Sequence, residues 1–122
     1  MKRCMIVDDS SVIRKVANRI LGGSDMAVLE AATAGDALAM CARDIPDIIV
    51  VDATLPDMAS EELIRRLATL DPGFKPQIVI CLTEFDVGTI MRARRAGAKG
   101  HIMKPFNRAQ LLERFRDLEL AA

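Results

Sequence analysis

The strongest constraint on what this chain can fold into is an alternation. Short apolar runs of strand length take turns, five times, with stretches whose apolar residues recur at helical spacing. Residues 3–7 form the first run. Residues 10–21 follow, with Val12, Ile13, Val16, Ala17 and Ile20 on one helical stripe and Gly22-Gly23 as the stop. Residues 27–31 make a weaker strand. Thr33 is placed to cap a helix to about Arg43, with Asp36 three residues on in a variant of the capping box, and Pro46 lies beyond. Residues 48–51 are the third strand. Residues 60–70 read as a helix, with Glu61 and Glu62 favourable in its first turn and Pro72-Gly73 after it. Then come a strand at 77–82, a helix at 86–96 ended by Gly97, a strand at 99–103 and a helix from Asn107 to about Leu118. Asn107 and Gln110 suit a capping box at the start of that last helix.

Five strands alternating with five helices predict a doubly wound α/β domain with a parallel sheet. The third and fourth runs are apolar on both faces, as expected of strands covered by helices on each side. The chain has 122 residues, enough for one domain with a sizeable core. With four Phe and neither Trp nor Tyr, that core must be mainly aliphatic. Lys plus Arg and Asp plus Glu both total 17, which gives no general attraction to nucleic acid or anionic lipid. The odd set Cys4, Cys41 and Cys81 fits no zinc spacing, and Cys4 and Cys81 lie in apolar runs as small hydrophobes, implying a reducing compartment. The apolar run after Met1-Lys2-Arg3 is too short for a signal peptide, and nothing approaches the roughly 20 apolar residues of a membrane span. The expectation is a soluble, cytoplasmic protein without membrane insertion.

In doubly wound sheets, ligands bind at the carboxyl ends of the strands. The first strand here ends in Asp8-Asp9, the third in Asp52, the fourth in Thr83 and the fifth in Lys104. Each alone would pass for a turn or cap residue; the set is what informs. Three carboxylates held close must take up protons or share a cation. An oxygen-preferring ion such as Mg²⁺ fits, since it keeps waters that a phosphate can replace. Lys104 and Thr83 then suit phosphoryl oxygens, one as a point charge and one as a hydrogen-bond donor.

The residues Asp8-Asp9, Asp52 with Leu55-Pro56, Thr83 and Lys104-Pro105-Phe106 resemble, in order and spacing, the receiver domain of two-component response regulators. The resemblance runs from Arg3 to about Leu118. It implies a CheY-like domain over 1–122 with strand order 2-1-3-4-5 and no output domain. It also implies that Asp52 accepts a phosphoryl group from a histidine of a sensor kinase or a histidine phosphotransfer protein. His101 is the only histidine, so that donor lies on another molecule. Asp8, Asp9, Asp52 and the backbone carbonyl of Thr54 would hold Mg²⁺. Lys104 would pair with the phosphoryl group, and Thr83 would turn inward to it. That movement would alter the face made by the fourth helix, fifth strand and fifth helix, which meets a downstream protein target. The Lys104–Pro105 bond is usually cis in this family. The chain would be a phospho-acceptor rather than an enzyme, a monomer or weak dimer, and would not bind DNA.

Four features depart from the family pattern. His101 occupies the place of the switch aromatic, which adds a pH-dependent reading to a planar side chain filling the same slot. Glu84 stands where a small residue is usual, and would crowd an incoming phosphoryl or help select a kinase. Phe85 and Thr54 flank the site at positions that tune the phosphoryl lifetime. Ala59-Ser60 replaces the usual Asp-Gly. The competing reading is a phosphate-independent module that binds a partner or a cyclic dinucleotide through Arg92, Arg94 and Arg95, with Lys99 beyond them. An aspartyl phosphatase is disfavoured because Thr54 stands where its second acid is needed. A dinucleotide enzyme is disfavoured because no G-x-G-x-x-G follows the first strand.

Overall fold

The apolar runs pair because strands without a polar face must be covered on both sides. In a computed structural model, residues 2–22 and 25–121 are described, and the chain runs β1 (Lys2–Val7), α1 (Ser11–Leu21), β2 (Met26–Ala31), α2 (Ala34–Arg43), β3 (Ile48–Asp52), α3 (Ser60–Ala68), β4 (Gln77–Leu82), α4 (Val87–Ala96), β5 (Gly100–Met103) and α5 (Arg108–Ala121). The strands form one five-stranded sheet in the order β2-β1-β3-β4-β5, every pair parallel. Fold class and strand order are those expected from the sequence.

Side-chain alternation splits the core into two layers. Met5, Val7, Ile49, Val51, Ile78 and Ile80 face α2, α3 and α4. Cys4, Ile6, Ile48, Val50, Val79 and Cys81 face α1 and α5, where they meet Ala17, Leu21, Leu111 and Phe115. All three cysteines are buried and free. Burial pushes the Cys41 thiol up to about 11 and the Cys81 thiol up to about 12, so both behave as inert hydrophobes at neutral pH.

Thr33 caps α2 as expected, and Ser10 and Asp86, read from the sequence as the first residues of their helices, stand just outside them as the caps of α1 and α4. The Ser10, Thr33 and Asp86 side chains accept from the backbone N–H of Ile13, Asp36 and Gly88. Asn107 and Gln110 close a reciprocal box, 2.8 and 2.9 Å. α3 ends at Ala68, earlier than the 60–70 expected, because the Thr69 hydroxyl donates to the Arg65 carbonyl at 2.9 Å and finishes the turn. α5 continues to Ala121, past the expected end. Of the Gly22-Gly23 stop, Gly22 caps α1 through its N–H on the Asn18 carbonyl, with an extended backbone, and Gly23 lies outside the described residues.

Gly97 needs its missing side chain. Its φ of +130° strains any L residue, and a Cβ there would stand 2.9 Å from the Ala68 Cβ on α3. Gly97→Ala is expected to cost about 2 kcal/mol, the upper end for a left-handed residue, measured by urea unfolding. An unchanged midpoint would mean that the α3–α4 seam gives way easily.

Candidate functional site

β1 and β3 are neighbours in the sheet, and both end at its carboxyl edge. This brings Asp8 and Asp52 side by side, 2 % and 6 % exposed, at the top of the buried core. Asp9 stands beside them, exposed. One carboxylate oxygen from each of the three lies within 4.8 Å of the others. Strand pairing continues past the strand ends on both sides. The Asp8 N–H donates to the Ala31 carbonyl at 3.0 Å, the Ala53 N–H to Cys81 at 2.8 Å, and the Lys104 N–H to Leu82 at 2.6 Å. These bonds hold the acids and the lysine on rigid backbone. The Lys104–Pro105 peptide is cis, as the resemblance implied.

Lys104 lies between two of the acids. Its Nζ donates to Asp8 Oδ2 at 3.0 Å and to Asp52 Oδ1 at 3.1 Å, with the ammonium side chain 11 % exposed. Asp8 Oδ1 also accepts from the Ser10 N–H at 2.9 Å, and Asp52 Oδ1 from the Thr54 N–H at 3.3 Å. Burial raises the Asp52 pKa above the usual carboxylate value and the Asp8 charge adds to this, against the opposing pull of Thr54 and Lys104. Burial works against the Lys104 charge, but the hydrogen bonds and charges of Asp8 and Asp52 outweigh it and raise its pKa. One ammonium thus pairs with two of the three clustered acids, leaving room for further positive charge. The donor set is all oxygen, carboxylate and hard. It fits Mg²⁺ and offers nothing to a soft metal.

The other candidate residues lie on the segments that follow β3 and β4 and on β5. Thr54 is exposed after β3, and an isolated antiparallel bridge from Thr54 to Ala59 closes its loop. Thr83, Glu84 and Phe85 are exposed in the bend after β4. The Phe85 ring meets the His101 imidazole edge-on, centroids 6.0 Å apart at 67°. His101 is half-buried on β5, and burial lowers its pKa, helped by the charges of Arg114 and Arg94.

The three arginines of α4 are all exposed, and they point in different directions. Arg92 turns to α3, its Nε 3.2 Å from Glu61 Oε2 and its Nη2 donating to the Thr89 hydroxyl at 3.3 Å. Arg94 lies two residues and about 200° further round the helix, where its charge adds to the lowering of the His101 pKa. Arg95 is exposed.

Two residues carry contacts that the sequence did not signal. Asp57, at the tip of the 54–59 loop, accepts from the Ala34 and Gly35 N–H groups at 2.9 Å each and so caps α2 from a distance. The Gly35 and Ala34 bonds hold its carboxyl below the usual range. Arg14 on α1 donates to the Asp8 carbonyl at 2.7 Å. Nothing in its sequence spacing signals that contact.

Comparison with known proteins gives a consistent result. The family model described as "Response regulator receiver domain" matches residues 4–116. The chain is 31% identical to the chemotaxis protein CheY of Thermotoga maritima, over 92% of each chain. It is 27% identical to the sporulation initiation phosphotransferase F of Bacillus subtilis, covering 87% of this chain and 84% of that one. The CheY-like response regulator receiver domain protein from Methanospirillum hungatei superposes with a TM-score of 0.88 at 32% identity, covering 98% of this chain and 94% of the other. An acid cluster on the strand ends, a lysine bridging it and a family match along nearly the whole chain lead to one assignment: this protein belongs to the response regulator receiver family.

Proposed function

We propose that Asp52 accepts a phosphoryl group from a histidine of a sensor kinase or histidine phosphotransfer protein, in a Mg²⁺-dependent reaction. The supporting observation is the clustering of the Asp8, Asp9 and Asp52 carboxylates, with the Lys104 ammonium bridging Asp8 and Asp52. Both hydrogen bonds to the Asp52 carboxylate fall on Oδ1. Among the described residues no donor is on Oδ2, which leaves that oxygen available to attack phosphorus. A bond forms from Oδ2 to phosphorus as the phosphorus–nitrogen bond of the donor histidine breaks, and its electron pair stays on the imidazole. β3 holds the nucleophile still for in-line attack. Asp8, Asp9, Asp52 and the Thr54 carbonyl would hold Mg²⁺, which supplies positive charge to the transferring oxygens.

After transfer, Lys104 pairs with the phosphoryl group, and the Thr83 hydroxyl, exposed beside it, turns in to donate. Thr54, Glu84 and Phe85 line the mouth and set donor choice and phosphoryl lifetime. Phe85 shares its bend with Thr83 and rests on His101, so inward movement of the bend disturbs β5 and the α4–β5–α5 face that meets a downstream protein. The split of Arg92 from Arg94 weighs against a cyclic-dinucleotide patch.

Incubation with acetyl phosphate and Mg²⁺ tests the acceptor reading. The expected result is a gain of one phosphoryl group, roughly 80 Da by intact mass, abolished by chelator. No gain from either acetyl phosphate or a phosphorylated histidine donor would overturn it.

His101 reports on the bend, because a single histidine gives one imidazole signal by NMR. We expect it to titrate below 6.5 and to move up toward that value in Phe85→Ala, since burial is the main cause of the lowering. The folded pKa lies below the unfolded one, so this group's contribution to stability falls as pH drops from about 6.5 through the folded value. An unmoved pKa in Phe85→Ala would mean that the ring does not bury the imidazole.

A further inference from the structure

Asp8 is pinned at every polar atom. Its N–H donates to Ala31, Oδ1 accepts from the Ser10 N–H, Oδ2 accepts from Lys104, and its carbonyl accepts from Arg14 Nη1 at 2.7 Å. The carbonyl bond has a particular consequence. That oxygen belongs to the peptide joining Asp8 to Asp9, so its direction fixes the plane of the peptide and the angle at which Asp9 leaves. Asp9 is exposed and lies just past the end of β1, beyond the sheet's own restraint. Arg14 is the side chain that grips the peptide between the two acids.

Arg14 is itself held. Its Nε donates to Glu30 Oε1 at 3.2 Å, and Asn18 Nδ2 donates to the other oxygen, Oε2, at 3.1 Å. Glu30 projects from β2, opposite Ile6 in register, on the sheet face that α1 covers. The guanidinium is 18 % exposed and the carboxylate 30 %. A planar fork reaching a carboxylate and a carbonyl at once is a task for Arg and not for Lys. The chain Asn18–Glu30–Arg14 thus ties α1 and β2 to the corner that carries two of the three acids.

We propose that Arg14, anchored by Glu30 and Asn18, is a positioning residue for the cation site: it sets the Asp8–Asp9 peptide so that both carboxylates meet one divalent ion. This rests on the Mg²⁺-dependent reading above. Simple charge makes the opposite prediction, which gives the test its force. Removing a cation beside three carboxylates should by itself strengthen Mg²⁺ binding, whereas loss of positioning should weaken it.

The experiment is calorimetric titration of Mg²⁺ into the unphosphorylated full chain, wild type against Arg14→Met and Arg14→Lys. Met keeps the aliphatic stem that packs between α1 and β2. Arg14→Met is expected to bind Mg²⁺ about tenfold more weakly, in the range known for partners that orient metal ligands, and Arg14→Lys to fall between it and wild type. Thermal unfolding in chelator reports the fold separately. Affinity equal to or tighter than wild type in Arg14→Met would overturn the proposal while leaving the acceptor reading intact. If Arg14→Met does not fold, Arg14→Lys decides, since charge alone predicts no change there. Absence of Mg²⁺ binding by wild type would overturn the metal-dependent reading and this inference with it.

Discussion

Lys104→Met is expected to lower stability by about 3 kcal/mol at neutral pH in the presence of chelator, the cost of leaving a buried charge without its partner. Lys104 neutralises Asp8 and Asp52 together, with all three side chains no more than 11 % exposed. Its raised pKa means that the stabilisation is fully present below the unfolded value and is lost only as pH climbs through the folded one. At pH 7 the whole contribution is therefore at stake. Met fills similar volume, so the loss is electrostatic rather than a cavity. Two conditions should relieve it. Acid should narrow the gap, because Asp52 already takes up a proton more readily than a free carboxyl. Mg²⁺ should narrow it too, by supplying the missing positive charge. Urea unfolding at pH 7 and pH 5, with chelator and with Mg²⁺, measures both. A deficit that ignores pH and Mg²⁺ would mean that Lys104 matters for packing and not for charge.

That bridge also shows where sequence reasoning reached its limit. Periodicity exposed the five strands and five helices, because strands buried on both faces and helices with one apolar stripe leave different patterns. The strand ends then placed Asp8, Asp9, Asp52 and Lys104 in one crevice, and all four meet there. The sequence suggested a lysine waiting for a phosphoryl group. In the structure it is engaged with residues 96 and 52 positions away. No local pattern carries that pairing. Asp57 is similar: it caps α2 from 22 and 23 residues away, while its own surroundings suggest only a turn. Arg14 pairs with Glu30, 16 residues away, only because β2 lies beside α1. The Arg92, Arg94 and Arg95 cluster is looser in space than in sequence, with Arg92 and Arg95 on one side of α4 and Arg94 on another. A turn of about 100° per residue is what sends Arg92 and Arg94 to different sides of the helix.

Asp52→Asn is expected to abolish labelling by acetyl phosphate and Mg²⁺ while making the fold more stable. The two effects share a cause. Burial and the Asp8 charge both disfavour ionised Asp52, as the direction of its pKa shows. Asn keeps an oxygen to accept from Lys104 and from the Thr54 N–H, and keeps the shape. It sheds the surplus charge and leaves Lys104 paired with Asp8 alone. A gain of about 1 kcal/mol is expected in chelator at pH 7, at the low end of what replacing a costly buried charge returns. The pH dependence fixes the sign. A carboxyl whose folded pKa is raised contributes stability that is present below its unfolded value and lost as pH rises through the folded one. Wild type should therefore gain on Asp52→Asn as pH falls from neutral toward about 4, and the two unfolding curves should approach each other. Persistent labelling of Asp52→Asn would place the acceptor on Asp8 or Asp9. A variant less stable than wild type at every pH would mean that Lys104 more than repays the burial of Asp52, and that the acid is held for its ion pair rather than kept poised, against its own solvation, to react.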